Sequence, residues 1–135
     1  ITEENCRQQS EYCAAMQALV EGDASLTGET WLYTYANEQD FADIFDFYGG
    51  FQSPVYDSAP EYMKQAFLFP YQQGKDFVQY LYDQDGWAGV DAAYSNRPQS
   101  TEQILHPERY PNDAPIPVQL PDLSAALPPG WRQAN

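Results

Sequence analysis

The sequence predicts a mainly α protein, an irregular helical domain followed by an extended, proline-rich C-terminal arm. Three observations carry that expectation. Apolar residues recur at helical spacing through most of residues 10–110, and no clear strand pattern or internal repeat interrupts them. Polar caps, glycines and prolines punctuate the pattern where helices should start and stop. Six prolines then crowd the end of the chain: Pro111, Pro115, Pro117, Pro121, Pro128 and Pro129. The helical domain is therefore drawn as 1–110 and the arm as 111–135.

Residues 10–36 read as one long helix, because Tyr12, Met16 and Leu19, then Trp31, Leu32 and Tyr35, keep its period. Gly22 and Gly28 weaken it by roughly 1 kcal/mol each relative to alanine, which suggests that something packs closely there. Met16, Leu19 and Val20 are expected to point inward. Asn37 is a plausible N-cap for a second, short helix containing Phe41, Ile44 and Phe45. "YGGFQSP", 48–54, reads as a loop. A third helix opens at "SAPEYM", with Ser58 and Glu61 as a capping box and Pro60 in the first turn. Pro70 predicts a kink or break near Phe69. The helix then resumes with Phe77, Val78, Leu81 and Tyr82 on one buried face, and Gly86 ends it. "WAGVDAAYSN", 87–96, is a short helix. "STEQILHPERY", 100–110, starts with a second capping box, Ser100 with Gln103, and must stop before Pro107. Beyond it the arm should be extended and polyproline-like, with no helix longer than one turn outside "LSAAL", 123–127.

Composition narrows the function. The chain has 135 residues, enough for one modest core. It carries 20 acids against 6 bases, a net charge of −14. Between Arg7 and Lys64 there are ten acids and no Lys or Arg. Phosphates would be repelled, which argues against nucleic acid and against an anionic membrane surface. No apolar run approaches the roughly 18 residues of a membrane span. Solubility explains the acidity most simply, and a cation partner is the sharper reading. With 11 Tyr, 7 Phe, 3 Trp and scarce lysine, the composition fits an ordered, exported protein.

The two cysteines, Cys6 and Cys13, are either a disulfide or two free thiols. In a straight helix they would stand about 10 Å apart, and a bridge needs less than about 7 Å. A bridge therefore requires the chain around Cys6 to leave the helix, and an exported setting favours it. The chain begins at Ile1 and not Met, which fits a processed product or a fragment.

Few residues offer chemistry. His106 is the only histidine. No G-x-S-x-G elbow, phosphate loop or dinucleotide fingerprint is present. "DQDG", 83–86, resembles half a calcium loop without the later ligands, and reads better as a polar helix end. "HPERY", 106–110, reads equally well as a locally satisfied turn. Glu21 and Asp23 flank Gly22 behind an apolar run, and for an arbitrary E-G-D a solvated carboxylate at a bend is the plainer reading. The sharper reading makes Glu21 a ligand for a divalent ion, with the glycine admitting a close neighbour.

At this point four segments look familiar together. "ALVEGDASL", 18–26, resembles the third-ligand helix of gluzincin-type zinc metallopeptidases. "LFPYQQGKDFVQYLY", 68–82, "GWAGVDAAY", 86–94, and "STEQILHPERY" resemble consecutive segments of a related family of uncharacterised bacterial proteins, many exported. The likeness spans residues 14–131. It implies that Glu21 is the third zinc ligand and that Asp23 supports the site. In that superfamily an H-E-x-x-H helix supplies two histidine ligands and the general base, and zinc activates water for attack on a peptide carbonyl. From their chemistry alone, His106 and Tyr110 could position substrate or stabilise an oxyanion, with Glu102 and Arg109 in support.

The departure from the pattern is the missing H-E-x-x-H. With one histidine this chain cannot complete a zinc site, and alone it should neither bind zinc tightly nor act as an enzyme. The first expectation is therefore a helical portion of a metallopeptidase whose catalytic segment lies upstream or on a partner chain. The second is a non-catalytic, exported subunit of the bacterial envelope or exterior. That subunit would use its arm and aromatic surface to bind partners or copies of itself. In the first case Glu21 should be at least half buried with a polar partner or ion in reach, because a lone buried carboxylate is costly.

Overall fold

A computed structural model describes residues 6–7, 9–116, 118, 121–123 and 126–131. Among these the chain is mainly helical and contains no strand. Helix α1 (Ser10–Tyr35) and helix α4 (Glu61–Ser95) form the body. Between them lie α2 (Glu38–Gly50) and the single turn α3 (Pro54–Asp57). Helix α5 (Thr101–Leu105) and a 3₁₀ turn, Pro107–Arg109, close the body at one end.

The core is the seam between α1 and α4, with α5 against both. Ala15, Ala18, Leu19 and Leu26 of α1 meet Phe77, Val78, Leu81, Val90 and Ala93 of α4, and Ile104 of α5 completes the cluster. At the middle of the seam the two backbones touch. A Cβ on Gly22 would stand 2.2 Å from the Gly74 carbonyl, and one on Gly74 would stand 2.2 Å from the Ala18 carbonyl. Both positions must be glycine for the helices to cross this closely. Gly28 is different, because a Cβ there would meet nothing within 4 Å.

Several sequence expectations hold. Asn37 accepts from the amides of Gln39 and Asp40 while Asp40 takes the Asn37 amide, a full capping box for α2. Residues Asp85 and Gly86 interrupt α4, and Gly86 has the positive φ of 60° that only glycine adopts freely. Phe77, Val78 and Leu81 are buried. Cys6 and Cys13 are bridged, with Cα atoms 5.4 Å apart.

Others need correction. Cys6 and Arg7 are themselves helical, and the chain turns at Gln9 (φ −135°, ψ 56°). A break anywhere between the cysteines relieves the 10 Å separation. Residues 48–50 are not loop, because α2 runs on to Gly50, and Pro54 starts the turn α3. Pro70 does not break α4 at Phe69. Its ring is buried, and Ala66, whose carbonyl it frees, is exposed and can be hydrated. Neither serine forms its expected cap. Ser58 donates instead to the Val55 carbonyl, 2.9 Å. The Gln103 side chain takes the Gln99 amide, not that of Ser100, at 2.8 Å and donates to the Asp113 carbonyl at 2.9 Å. Val20 does not point inward, being 44% exposed. The described part of the arm contains no α-helix, and the "LSAAL" expectation rests partly on 124–125, outside the described residues.

Candidate functional site

Helix α1 carries four acids, and their partners differ. Glu11 accepts from the backbone amide and hydroxyl of Thr101 (3.2 and 2.6 Å), tying α5 to the start of α1. Asp23 accepts the Tyr94 hydroxyl at 2.7 Å, tying in the last turns of α4. Glu29 pairs with Lys75. Each joins α1 to another element. Glu21 does not. Its side chain is more than half buried, yet no hydrogen bond or ion pair links its carboxylate to any described residue; only its backbone carbonyl is engaged, by Ser25 Oγ at 2.6 Å.

The position follows from helix geometry. Glu21 precedes Gly22, the residue at the backbone crossing, so it stands at the lip of the seam. Beside it Gln17, Ala24 and Gly28 are exposed, as is Val20. This flank is made of small and polar side chains and no described element covers it. The expected burial of Glu21 is therefore met, while the expected polar partner is not supplied by the described residues.

Asp23 is committed to Tyr94 and also accepts from Thr27 at 3.3 Å. The Tyr94 hydroxyl is held well above the ordinary tyrosine range, first by burial, then by its bond to Asp23 and the nearby charges of Asp23 and Asp91. That pair locks helix to helix and does not orient Glu21.

The "STEQILHPERY" segment is a clasp. Tyr110 donates to the Asn96 carbonyl and sets its ring edge-on to Phe77, with centroids 5.3 Å apart and planes at 83°. Burial raises its pKa. Arg109 pairs with Glu102 and, at 3.4 Å, with Asp113. His106 is exposed, its Nδ1 3.6 Å from Glu108. The segment meets α1 at Glu11, ten residues or about 15 Å of helix rise from Glu21. No described contact joins His106, Tyr110, Glu102 or Arg109 to Glu21. Gln103, only 2% exposed and bonded at both ends of its amide, holds this clasp, and sequence reasoning assigned it only a local cap.

Among the described residues no group of three or more His, Cys, Asp or Glu is placed to hold a metal ion. Comparison of the chain with family models, curated proteins and solved structures finds no significant match.

Proposed function

We propose that this chain is the helical portion of a gluzincin-like zinc metallopeptidase, in which Glu21 supplies one carboxylate ligand and the histidines and general base come from an H-E-x-x-H segment outside these residues. The observation that carries the reading is the contrast within α1. Three acids are each committed to another helix, and the fourth is partly buried with its carboxylate uncommitted among the described residues. A partly buried carboxylate with no protein partner is free to take a cation, which would offset the cost of its burial. The uncovered flank of Gln17, Ala24 and Gly28 leaves room for another helix beside it. The donor set here does not by itself fit a closed zinc site, since the single histidine is bound up with Glu108 in another part of the fold. Glu21's role is thus to hold an anionic oxygen rigidly at the lip of the seam, and Gly22 fixes where that lip stands. Export accompanies the reading, because the Cys6–Cys13 bridge persists in an oxidising compartment.

Reading the gene upstream of Ile1 tests it. An H-E-x-x-H within about a hundred residues, in the same domain-sized chain, is expected. Calorimetry on residues 1–135 alone should detect no submicromolar zinc binding. A signal peptide ending directly before Ile1 would overturn the proposal in favour of a non-catalytic, exported interaction subunit. The exposed rings of α2 are the observation that favours that rival.

A further inference from the structure

Helix α2 has an apolar side that the rest of the fold covers only at one end, where Phe41 meets Tyr33 of α1 with ring centroids 6.0 Å apart and Ile44 is partly buried. Phe41, Ile44, Phe45 and Tyr48 recur at i, i+3, i+4 and i+7 and so share one side of the helix. Phe45 is 81% exposed and Tyr48 69%, no residue of α2 is buried, and α2 packs extensively against no other helix. The opposite side carries Gln39, Asp43 and Asp46. Residues 37–57 hold five carboxylates and no Lys or Arg, and among the described residues no cation pairs with the carboxylates of α2.

These features select the occupant. A four-point apolar stripe on a capped helix is the pattern that lies lengthwise in a protein groove. Glu38 and Asp40 flank the stripe and call for basic groups along the rim of that groove, since opposite charges steer and register a docking helix. A second copy of this chain is a poor fit, because 20 acids against 6 bases bring repulsion, and Lys75 and Arg109 are already paired. An anionic lipid surface is disfavoured by the same charge. We propose that α2 is a docking helix for a partner protein surface with an apolar floor and a Lys/Arg rim. This stands whether or not Glu21 binds zinc.

A synthetic amphipathic helix of Leu and Lys, its apolar stripe flanked by lysines, is a minimal mimic of that surface. Its binding to the whole chain can be followed by titration calorimetry at low and high salt, for the wild type and Phe45→Asp. Phe45 lies outside the core, so circular dichroism should show an unchanged helix content in the variant. The wild type should bind, more weakly at high salt, and Phe45→Asp should bind at least about tenfold more weakly although it adds a negative charge. Charge attraction alone would make the variant bind as well or better, and that result overturns the proposal. So does failure of the wild type to bind, or equal binding of a Leu/Glu helix. A concentration-dependent dimer abolished by Phe45→Asp would assign the face to a second copy, and phosphatidylcholine vesicle binding abolished by it would assign the face to lipid. Either would also overturn the proposal.

Discussion

The seam between α1 and α4 and the α2–α3 excursion are both helical and both rich in large apolar residues, yet they obey opposite rules. In the seam Phe77, Leu19 and Val78 are fully buried, backbones touch at Gly22 and Gly74, and three of the four acids of α1 are matched with Thr101, Tyr94 and Lys75. In the excursion Phe45, Phe47 and Phe51 are mostly exposed, and the acids have no cationic partner among the described residues. The difference shows where the stability of this molecule resides. Burial and close approach hold the seam, whereas α2 rests on its capping box and local helix bonds. Material that contributes nothing to the body is free to serve something outside it.

Two glycines in one helix give the sharpest way to break that contrast. Gly22→Ala places a methyl 2.2 Å from the backbone of Gly74, where no side chain can move aside, so the helices must part. The expected cost is about 3 kcal/mol, the upper end for overpacking, read as a lowered urea midpoint. Gly74→Ala should behave alike. Tyr94→Phe removes the hydroxyl bond to Asp23 and should cost about 1–2 kcal/mol. It also has a pH signature. The folded state favours neutral Tyr94, whose pKa is raised, so this contribution is complete below the unfolded tyrosine pKa of about 10 and is lost as pH rises above it. Stability measured from pH 8 to 11 should fall less steeply in Tyr94→Phe than in the wild type. A residual decline from Tyr110, also raised by burial, should persist. Gly28→Ala, facing open space, should stabilise residues 1–135 by about 0.5–1 kcal/mol. Smallest of all, Phe45→Ala should change stability by less than about 0.5 kcal/mol, because the ring is 81% exposed. A large loss there would erase the distinction between seam and excursion.

Much of the fold was legible because it is locally encoded. The period of Tyr12, Met16 and Leu19 placed α1, Asn37 marked the start of α2, and Gly86 marked the interruption of α4. What escaped depends on contacts distant in sequence. Ser100 and Gln103 read as a local cap, but Gln103 is drawn away by the Asp113 carbonyl and the Gln99 amide. Pro70 read as a breaker, yet the helix tolerates it where the freed carbonyl belongs to an exposed residue. Val20 read as core because it follows Leu19, but adjacent positions lie about 100° apart and the seam is too narrow to take both. Tyr110 read as site chemistry, and its hydroxyl instead fastens the clasp to Asn96. Gly22 was singled out correctly, but only the second mid-helix glycine, Gly74, explains it. A pair of glycines inside two long helices was the available signal of a close crossing.

Zinc content is the most direct test of the role given to Glu21. It should be measured by metal analysis on the longest natural polypeptide that contains these residues, as wild type and as Glu21→Gln. Glutamine keeps the size of the side chain and removes its charge, and a group at the lip of the seam can be neutralised without disturbing the core. The wild type should retain about one zinc per chain through dialysis, and the variant should lose most of it while keeping the same melting behaviour in the presence of chelator. Equal zinc content and equal peptidase activity in the two proteins would contradict the account.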